Sequence, residues 1–193
     1  MLIKRKNSEI LSLLNIKNEK VNVILDTDTY NEIDDQFALI QMLFSEDRIN
    51  VKSINAAPFS MNSRSDNAEK GMELSYDEIF RLLEKINFER DNFVFKGSKQ
   101  YVGFDKKPIS SAAADNIIES SLKCSEENPL YVIAIGAISN VASAILKEPE
   151  IIKKIVVVWL GGNALYWPQN SEFNLKQDIG GAQVLFDSGV SLV

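Results

Sequence analysis

The sequence predicts an α/β fold, an open and mostly parallel sheet with helices on both faces. Short runs that are apolar throughout alternate with longer helical stretches, the pattern of strands buried on both sides and joined by helices. No internal repeat, Pro/Gly/Ser-rich linker or charge block divides the chain. Its 193 residues, 45% of them hydrophobic, are enough for one sizeable core. The expected organisation is therefore a single α/β domain over 1–193.

Val21–Leu25 (VNVIL) reads as the first strand, followed by Asp34–Phe44 (DDQFALIQMLF), a nearly all-apolar helix expected to be buried. Val51–Ala56 is a second strand, and Ala68–Ile86, rich in Glu, Leu and Lys, a longer amphipathic helix. Asn92–Phe95 reads as a short strand. Ser110–Lys123 opens on a serine cap and spaces Ala114, Ile117, Ile118 and Leu122 as one helix face. Leu130–Ile135 and Ile155–Leu160 are buried strands, with a helix at Ser139–Leu146 between them. Asp178 is placed to cap a last helix, Ile179–Phe186, that stops near Ser188-Gly189. Val190–Val193 then looks like the opening of another buried strand.

Composition narrows the chemistry. The chain carries 21 Lys+Arg against 27 Asp+Glu, a formal net charge of −6, which lacks the basic footprint of a nucleic-acid or anionic-membrane binder. One cysteine, Cys124, makes no internal disulfide and no Cys-cluster metal site. With no histidine, Ser-His-Asp and Cys-His catalysis and imidazole metal sites are excluded. Lys4, Arg5 and Lys6 imitate the start of a signal peptide, but Glu9 and Asn15 interrupt the apolar stretch that a signal peptide needs next. A cytoplasmic location is expected.

In open parallel sheets ligands bind outside the carboxyl ends of the strands, which directs attention to four loops: Asp26–Ile33, Ala57–Asp66, Gly136–Asn140 and Gly161–Gln177. The densest feature is Asp26–Asp35 (DTDTYNEIDD), five carboxylates in ten residues between an apolar strand and an apolar helix. A helix N-terminus offsets only about half a unit of negative charge, so a hard cation with oxygen ligands, Ca²⁺ or Mg²⁺, is expected among them. The alternative is that Asp34 caps the helix and the other acids are solvated. Gly136-Ala137-Ile138-Ser139-Asn140 brings a backbone carbonyl or hydroxyl to the same sheet edge. In the last loop Glu172 can accept from vicinal hydroxyls, Asn174 can accept or donate, and Tyr166, Trp167 or Phe173 can stack on a flat ring or sugar face. Asn62 and Arg64 add polar groups from the loop after the second strand.

Four features in this order, the strand–DTD–DD–helix segment Val23–Leu39, the Gly136–Ala142 turn (GAISNVA), Leu160-Gly161-Gly162, and Glu172-Phe173-Asn174 with its downstream Asp178, resemble the inosine-uridine-preferring nucleoside hydrolase family. The resemblance runs from about Val21 to Val193. It implies an open, Rossmann-like α/β fold, a Ca²⁺ cofactor, a small-molecule nucleoside as partner, and hydrolysis of the N-ribosidic bond; a homo-oligomer is compatible with it. Asp28 would bind the metal and act as base towards the attacking water, Asp35 would chelate the metal, and Ser139 would give it a backbone carbonyl. Asp34, Glu172, Phe173 and Asn174 would hold the substrate, and Asp26 would support the metal loop. The family's further ribose-binding Asn has no residue in strict register, and Asn163 or Asn170 is expected to substitute. The family's remaining metal-binding Asp and its leaving-group His have no counterpart, so the chain reads as the N-terminal two-thirds of such a fold. Two rival readings remain: a non-catalytic member that keeps the fold, and a haloacid-dehalogenase-like phosphatase in which Asp26 attacks phosphorus with Asp28 as acid/base.

Overall fold

The computed structural model describes residues 5–14 and 19–193; of the N-terminal stretch considered for targeting, residues 1–4 and Asn15 lie outside the described part. The elements are α1 (Asn7–Leu13), β1 (Val21–Thr27), α2 (Ile33–Leu43), β2 (Ile49–Ala56), α3 (Ala68–Lys85), β3 (Val94–Lys96), α4 (Ala112–Leu122), β4 (Leu130–Ala134), α5 (Ser139–Lys147), a 3₁₀ turn (Pro149–Lys153), β5 (Ile155–Trp159), α6 (Phe173–Gln177), α7 (Ile179–Asp187) and β6 (Ser191–Leu192). The strands form one sheet in the order β3-β2-β1-β4-β5-β6, and every adjacent pair is parallel. The expected open parallel α/β architecture is present. Among the described residues no helix is long and apolar enough to cross a membrane.

Burial on both faces explains why the strands read as continuous apolar runs. Successive residues of β1 enter different cores. Ile24 packs with Ile117, Leu130, Val132, Ile145 and Val157, whereas Leu25 packs with Leu39, Ile54, Met72 and Ile79. The pleat sends neighbours to opposite faces, and helices cover both. The chain builds outward through β2 and β3, then crosses back to start β4 beside β1. The resulting switch point lies between the carboxyl ends of β1 and β4, where two loops diverge and leave a crevice.

Helix ends follow local chemistry. Ser111 caps α4 by accepting from Ala114 N at 3.1 Å, one residue beyond the expected start, and Asp178 caps α7 by accepting from Gly181 N at 2.9 Å. Helix α3 lies so close to the loop after β2 that a Cβ at Gly71 would sit 1.9 Å from the Phe59 carbonyl oxygen. Glycine is therefore required there.

Two expectations are corrected. Helix α2 is not wholly buried: Asp35, Leu39 and Leu43 are buried and Ile40 and Met42 pack partly against the core, while Ile33 and Phe37 are 67% and 70% exposed. Its apolar content is spread around the helix, and only one stripe meets the sheet. The run after Gly161, expected to be loop as far as Gln177, contains the short helix α6.

Replacing Ile117 with Ala, at a fully buried position, is expected to cost about 2–5 kcal/mol in chemical denaturation. Phe37→Ala on the exposed face of α2 is expected to stay within about 0.5 kcal/mol of the parent.

Candidate active site

Strand β1 delivers its last residues to the switch point. Asp26, Asp28 and Asp35 are buried there, at 0%, 1% and 3% exposure. The turn after β1 is closed by Asn31 N donating to Asp28 O at 2.7 Å, and Asn31 Nδ2 donates to Asp28 Oδ2 at 3.0 Å. Thr27 Oγ1 hydrogen-bonds Asp35 Oδ1 and lies 2.9 Å from Thr29 Oγ1. Asn140, in the first turn of α5, donates through Nδ2 to Asp26 Oδ2 at 3.0 Å and to Ala56 O at 3.3 Å. Its Oδ1 accepts from Ser98 N at 2.7 Å, so one buried amide ties together the ends of β1 and β2, the loop after β3 and α5.

Removal from water dominates the electrostatics. Burial raises the Asp26 carboxyl to about 7 against the opposing Asn140 hydrogen bond. Burial likewise raises Asp35 to about 7, with the charges of Asp34 and Glu32 adding to it and the Thr27 hydroxyl opposing. Asp28 is pushed well up, first by burial and then by the neighbouring Asp35 charge. Asp28 Oδ1 has no hydrogen-bond partner, and it faces the turn after β4, where a Cβ at Gly136 would stand 3.1 Å away. Glycine keeps that approach open. Trp159 Nε1 holds the Gly136 carbonyl at 3.1 Å from β5.

The other expected residues fall into place unevenly. Ser139 is fully buried at the start of α5, and its Oγ donates to Asp178 Oδ2 at 2.6 Å. Glu172 caps α6: Oε1 accepts from Asn174 N, and Oε2 from Leu175 N and Gly162 N, each at 2.8 Å. Asn174 Nδ2 donates to Ile135 O at 3.0 Å and Leu160 O at 2.9 Å, which pins α6 across the ends of β4 and β5. With both amide hydrogens used, Asn174 has only its Oδ1 to offer a ligand. Phe173 is half-buried beside it. Asp34 is exposed on the first turn of α2 and does not cap it; the cap position is Glu32. Asn163 is exposed and donates to Gln169 O at 3.0 Å, while Tyr166 and Trp167, 87% and 56% exposed, project outward. Asn62 and Arg64 clamp the acidic loop, with Asn62 Nδ2 donating to Asn31 Oδ1 at 2.6 Å and Arg64 Nη1 to Tyr30 O at 2.8 Å.

Sequence reasoning missed Asn31, although it lies inside the acidic run, and a cluster formed by Ser60, Tyr101 and Gln177. The last three are far apart in the chain and carry no local motif. A cavity of about 480 Å³ opens elsewhere, beneath α4 around Lys52, Asn116 and Lys123. Its single carboxylate, Glu119, offers no acid–base pair, so chemistry rather than volume assigns the site to the β1/β4 edge.

The sequence profile described as inosine-uridine preferring nucleoside hydrolase matches residues 23–193. The chain belongs to that family. It is 25% identical over 187 residues to the non-specific ribonucleoside hydrolase RihC of Shigella flexneri serotype 5b (strain 8401), an alignment that covers 90% of this chain and 60% of the relative. The pyrimidine-specific ribonucleoside hydrolase RihA of Escherichia coli (strain SMS-3-5 / SECEC) is 32% identical over 73 residues, covering 36% of this chain and 24% of the relative. Among solved structures, the plant nucleoside hydrolase PpNRh1 superposes with a TM-score of 0.66 at 22% identity, over 89% of this chain and 58% of that one. The type III effector XopQ, solved in complex with adenosine diphosphate ribose, gives 0.62 at 12% identity, over 95% and 58%. The chain thus spans about 60% of the length of RihC and 58% of that of PpNRh1. Membership displaces the phosphatase reading, and so does geometry: Asp26, the attacking group that reading requires, is fully buried and held by Asn140.

The donor set suits a hard cation in kind: oxygen ligands only, two crowded carboxylates and an unpaired buried Asp28 Oδ1. It is partial in number. Among the described residues no group of three His, Cys, Asp or Glu side chains gathers as a metal site, and Ca²⁺ takes about six to eight oxygens.

Folded Asp26 and Asp35 hold protons up to about 7 against an ordinary value of 3.8, so the folded state binds more protons than the unfolded chain and loses stability as pH rises through that window. With chelator present, the melting temperature is expected to be lower at about pH 8 than at about pH 6. Melting that is flat or higher at the alkaline end would contradict the assigned burial of these carboxyls.

Proposed function

We propose that this site serves the hydrolysis of the N-ribosidic bond of ribonucleosides, with Ca²⁺ as cofactor. The observation that carries the reading is the buried Asp28–Asp35 pair at the switch point, with Asp28 Oδ1 unpartnered. Two like charges 1% and 3% exposed are costly unless a cation or a proton is shared among them. Asp28, Asp35 and the backbone carbonyl of Ser139 would hold the ion, which supplies positive charge to the carboxylates and polarises a water.

This chain's own residues then account for the remaining steps. Asp28 would take the proton of the attacking water as general base. The bond to the base breaks with its electron pair going to the base, which takes a proton from solvent, and the hydroxyl of the water adds to the anomeric carbon. In between, the ring carries positive charge, which the surrounding carboxylates would stabilise. Asp34, Glu172, Asn174 and Asn163 would contact the ribose, with Phe173 against its face. The similarity to RihC and RihA, both ribonucleoside hydrolases, supports ribonucleosides as the substrate class.

Two observations favour a second reading. The site offers two carboxylates rather than three, and a structural neighbour, XopQ, is described with a bound ribose-containing ligand. Binding of a ribosyl ligand without turnover is therefore the alternative outcome.

Assays of inosine and uridine with Ca²⁺ are expected to show release of free base, and Asp28→Asn to lower that rate by about 10²-fold or more. Calorimetry should register Ca²⁺ binding that weakens in the same variant. Turnover equal to the parent's in Asp28→Asn would sink the assignment, and ribose binding without any turnover would favour the second reading.

A further inference from the structure

Gln177 ends α6 and is 4% exposed. Its Oε1 accepts from Ser60 N and from Tyr101 OH, both at 2.6 Å, and Ser60 Oγ lies 2.7 Å from Tyr101 OH. These contacts fix the amide orientation, because a flipped side chain would turn its NH₂ against the Ser60 N–H. Nε2 is left buried with no partner. Among the described residues, four buried side-chain polar atoms lack one: Asp26 Oδ1, Asp28 Oδ1, Ser75 Oγ and Gln177 Nε2. Gln177 Nε2 is the nitrogen donor of the group, and Asp28 Oδ1 is an acceptor at the same sheet edge.

The neighbours of this donor tie it to the residues around the site. Ser60 follows the carboxyl end of β2, next to β1. Asp178, directly after Gln177, accepts from Ser139 at 2.6 Å. Burial pushes the Tyr101 phenol up to about 12, and the charges of Asp178 and Asp28 push in the same direction, so the phenol that touches Gln177 also lies within the field of Asp28. A buried amide donor without a partner is costly, and it is tolerated where a ligand completes it.

We propose that Gln177 Nε2 is a ligand-contacting group that donates to a hydroxylic oxygen in this site, with Ser60 N–H and Tyr101 OH fixing its direction. The inference deepens the hydrolase reading and rests on it for the identity of the ligand. A hydroxylic oxygen can accept from Gln177 while it donates to a carboxylate, which meets the unmatched needs of both sides. Such an oxygen belongs either to a sugar hydroxyl or to the attacking water.

The test is Gln177→Glu, which keeps the acceptor used by Ser60 and Tyr101 but exchanges the donor for a second, ionisable acceptor oxygen, with the uncharged Gln177→Leu as a second variant. If the oxygen is a sugar hydroxyl, D-ribose affinity by calorimetry falls about tenfold and KM for inosine rises, with kcat little changed. If it is the water, kcat falls about tenfold or more at unchanged ribose affinity. Either result supports the assignment in variants that melt as the parent does. Parental ribose affinity, KM and kcat in both variants overturn it. Should the parent hydrolyse neither inosine nor uridine, the hydrolase reading fails by itself, and a crystal structure soaked in D-ribose decides this inference separately. A ribose oxygen, or a water displaced by ribose, within about 3.5 Å of Nε2 supports it, whereas an Nε2 packed against dry protein, or on a water that ribose leaves in place, overturns it.

Discussion

Asp28 and Asp35 share one desolvated corner at the end of β1, and the surrounding structure is arranged around that repulsion. A carboxylate taken out of water loses hydration that only hydrogen bonds, a proton or a cation can replace. The chain supplies some hydrogen bonds, from Asn31 to Asp28 and from Thr27 to Asp35, but leaves Asp28 Oδ1 bare. A folding-only solution would have placed an apolar residue or a lysine there. The arrangement stores unfavourable electrostatics that binding can relieve, at the one place in a doubly wound sheet where the loops separate.

Holding such a pair in place demands rigid neighbours. Asp178 and Asn140 meet that demand in opposite ways. Asp178 accepts from Val102 N, Gly103 N, Ser139 Oγ and Gly181 N, two donors on each oxygen, so its four acceptor sites are filled. It binds the loop after β3 to the starts of α5 and α7 and has nothing left for a metal. Asn140 performs the corresponding task among β1, β2 and the loop after β3. The contrast separates a structural carboxylate from a reactive one: Asp178 and Asp28 are equally buried, yet only Asp28 has an unused oxygen.

How much the sequence reveals depends on the range over which each cause acts. The β1 and β4 strands are legible because burial on both faces makes nearly every residue apolar, and the caps Ser111 and Asp178 because capping acts within three residues. The acidic cluster is legible as a density of like charge. Helix α2 departs from expectation because apolar content does not say which way a side chain points, and Phe37 faces out. Glu172 and Asn174 read as ligand groups in a loop, whereas a five-residue helix with Glu172 as its cap is too short to show periodicity. Gln177, Tyr101 and Ser60 are invisible because they are brought together across 76 and 117 residues of chain, a proximity that only the folded sheet edge creates.

The distribution of spent and unspent groups also bears on what this edge can recognise. Asn140 and Asn174 have both used their amide hydrogens on the protein, and Glu172 has already accepted three backbone N–H groups. The groups still free near the crevice are mostly acceptors: Asp28 Oδ1, the remaining lone pair of Glu172, Asn174 Oδ1 and the exposed Asp34. Without a bound cation, a ligand that brings its own acceptors, such as a phosphate or a carboxylate, meets repulsion here, in a chain of net charge −6. A ligand rich in hydroxyl donors fits, since each hydroxyl gives its hydrogen to a protein oxygen. Hydrogen-bond accounting at this edge therefore matches the hydroxyls of the proposed substrate, before any contact with the base is considered.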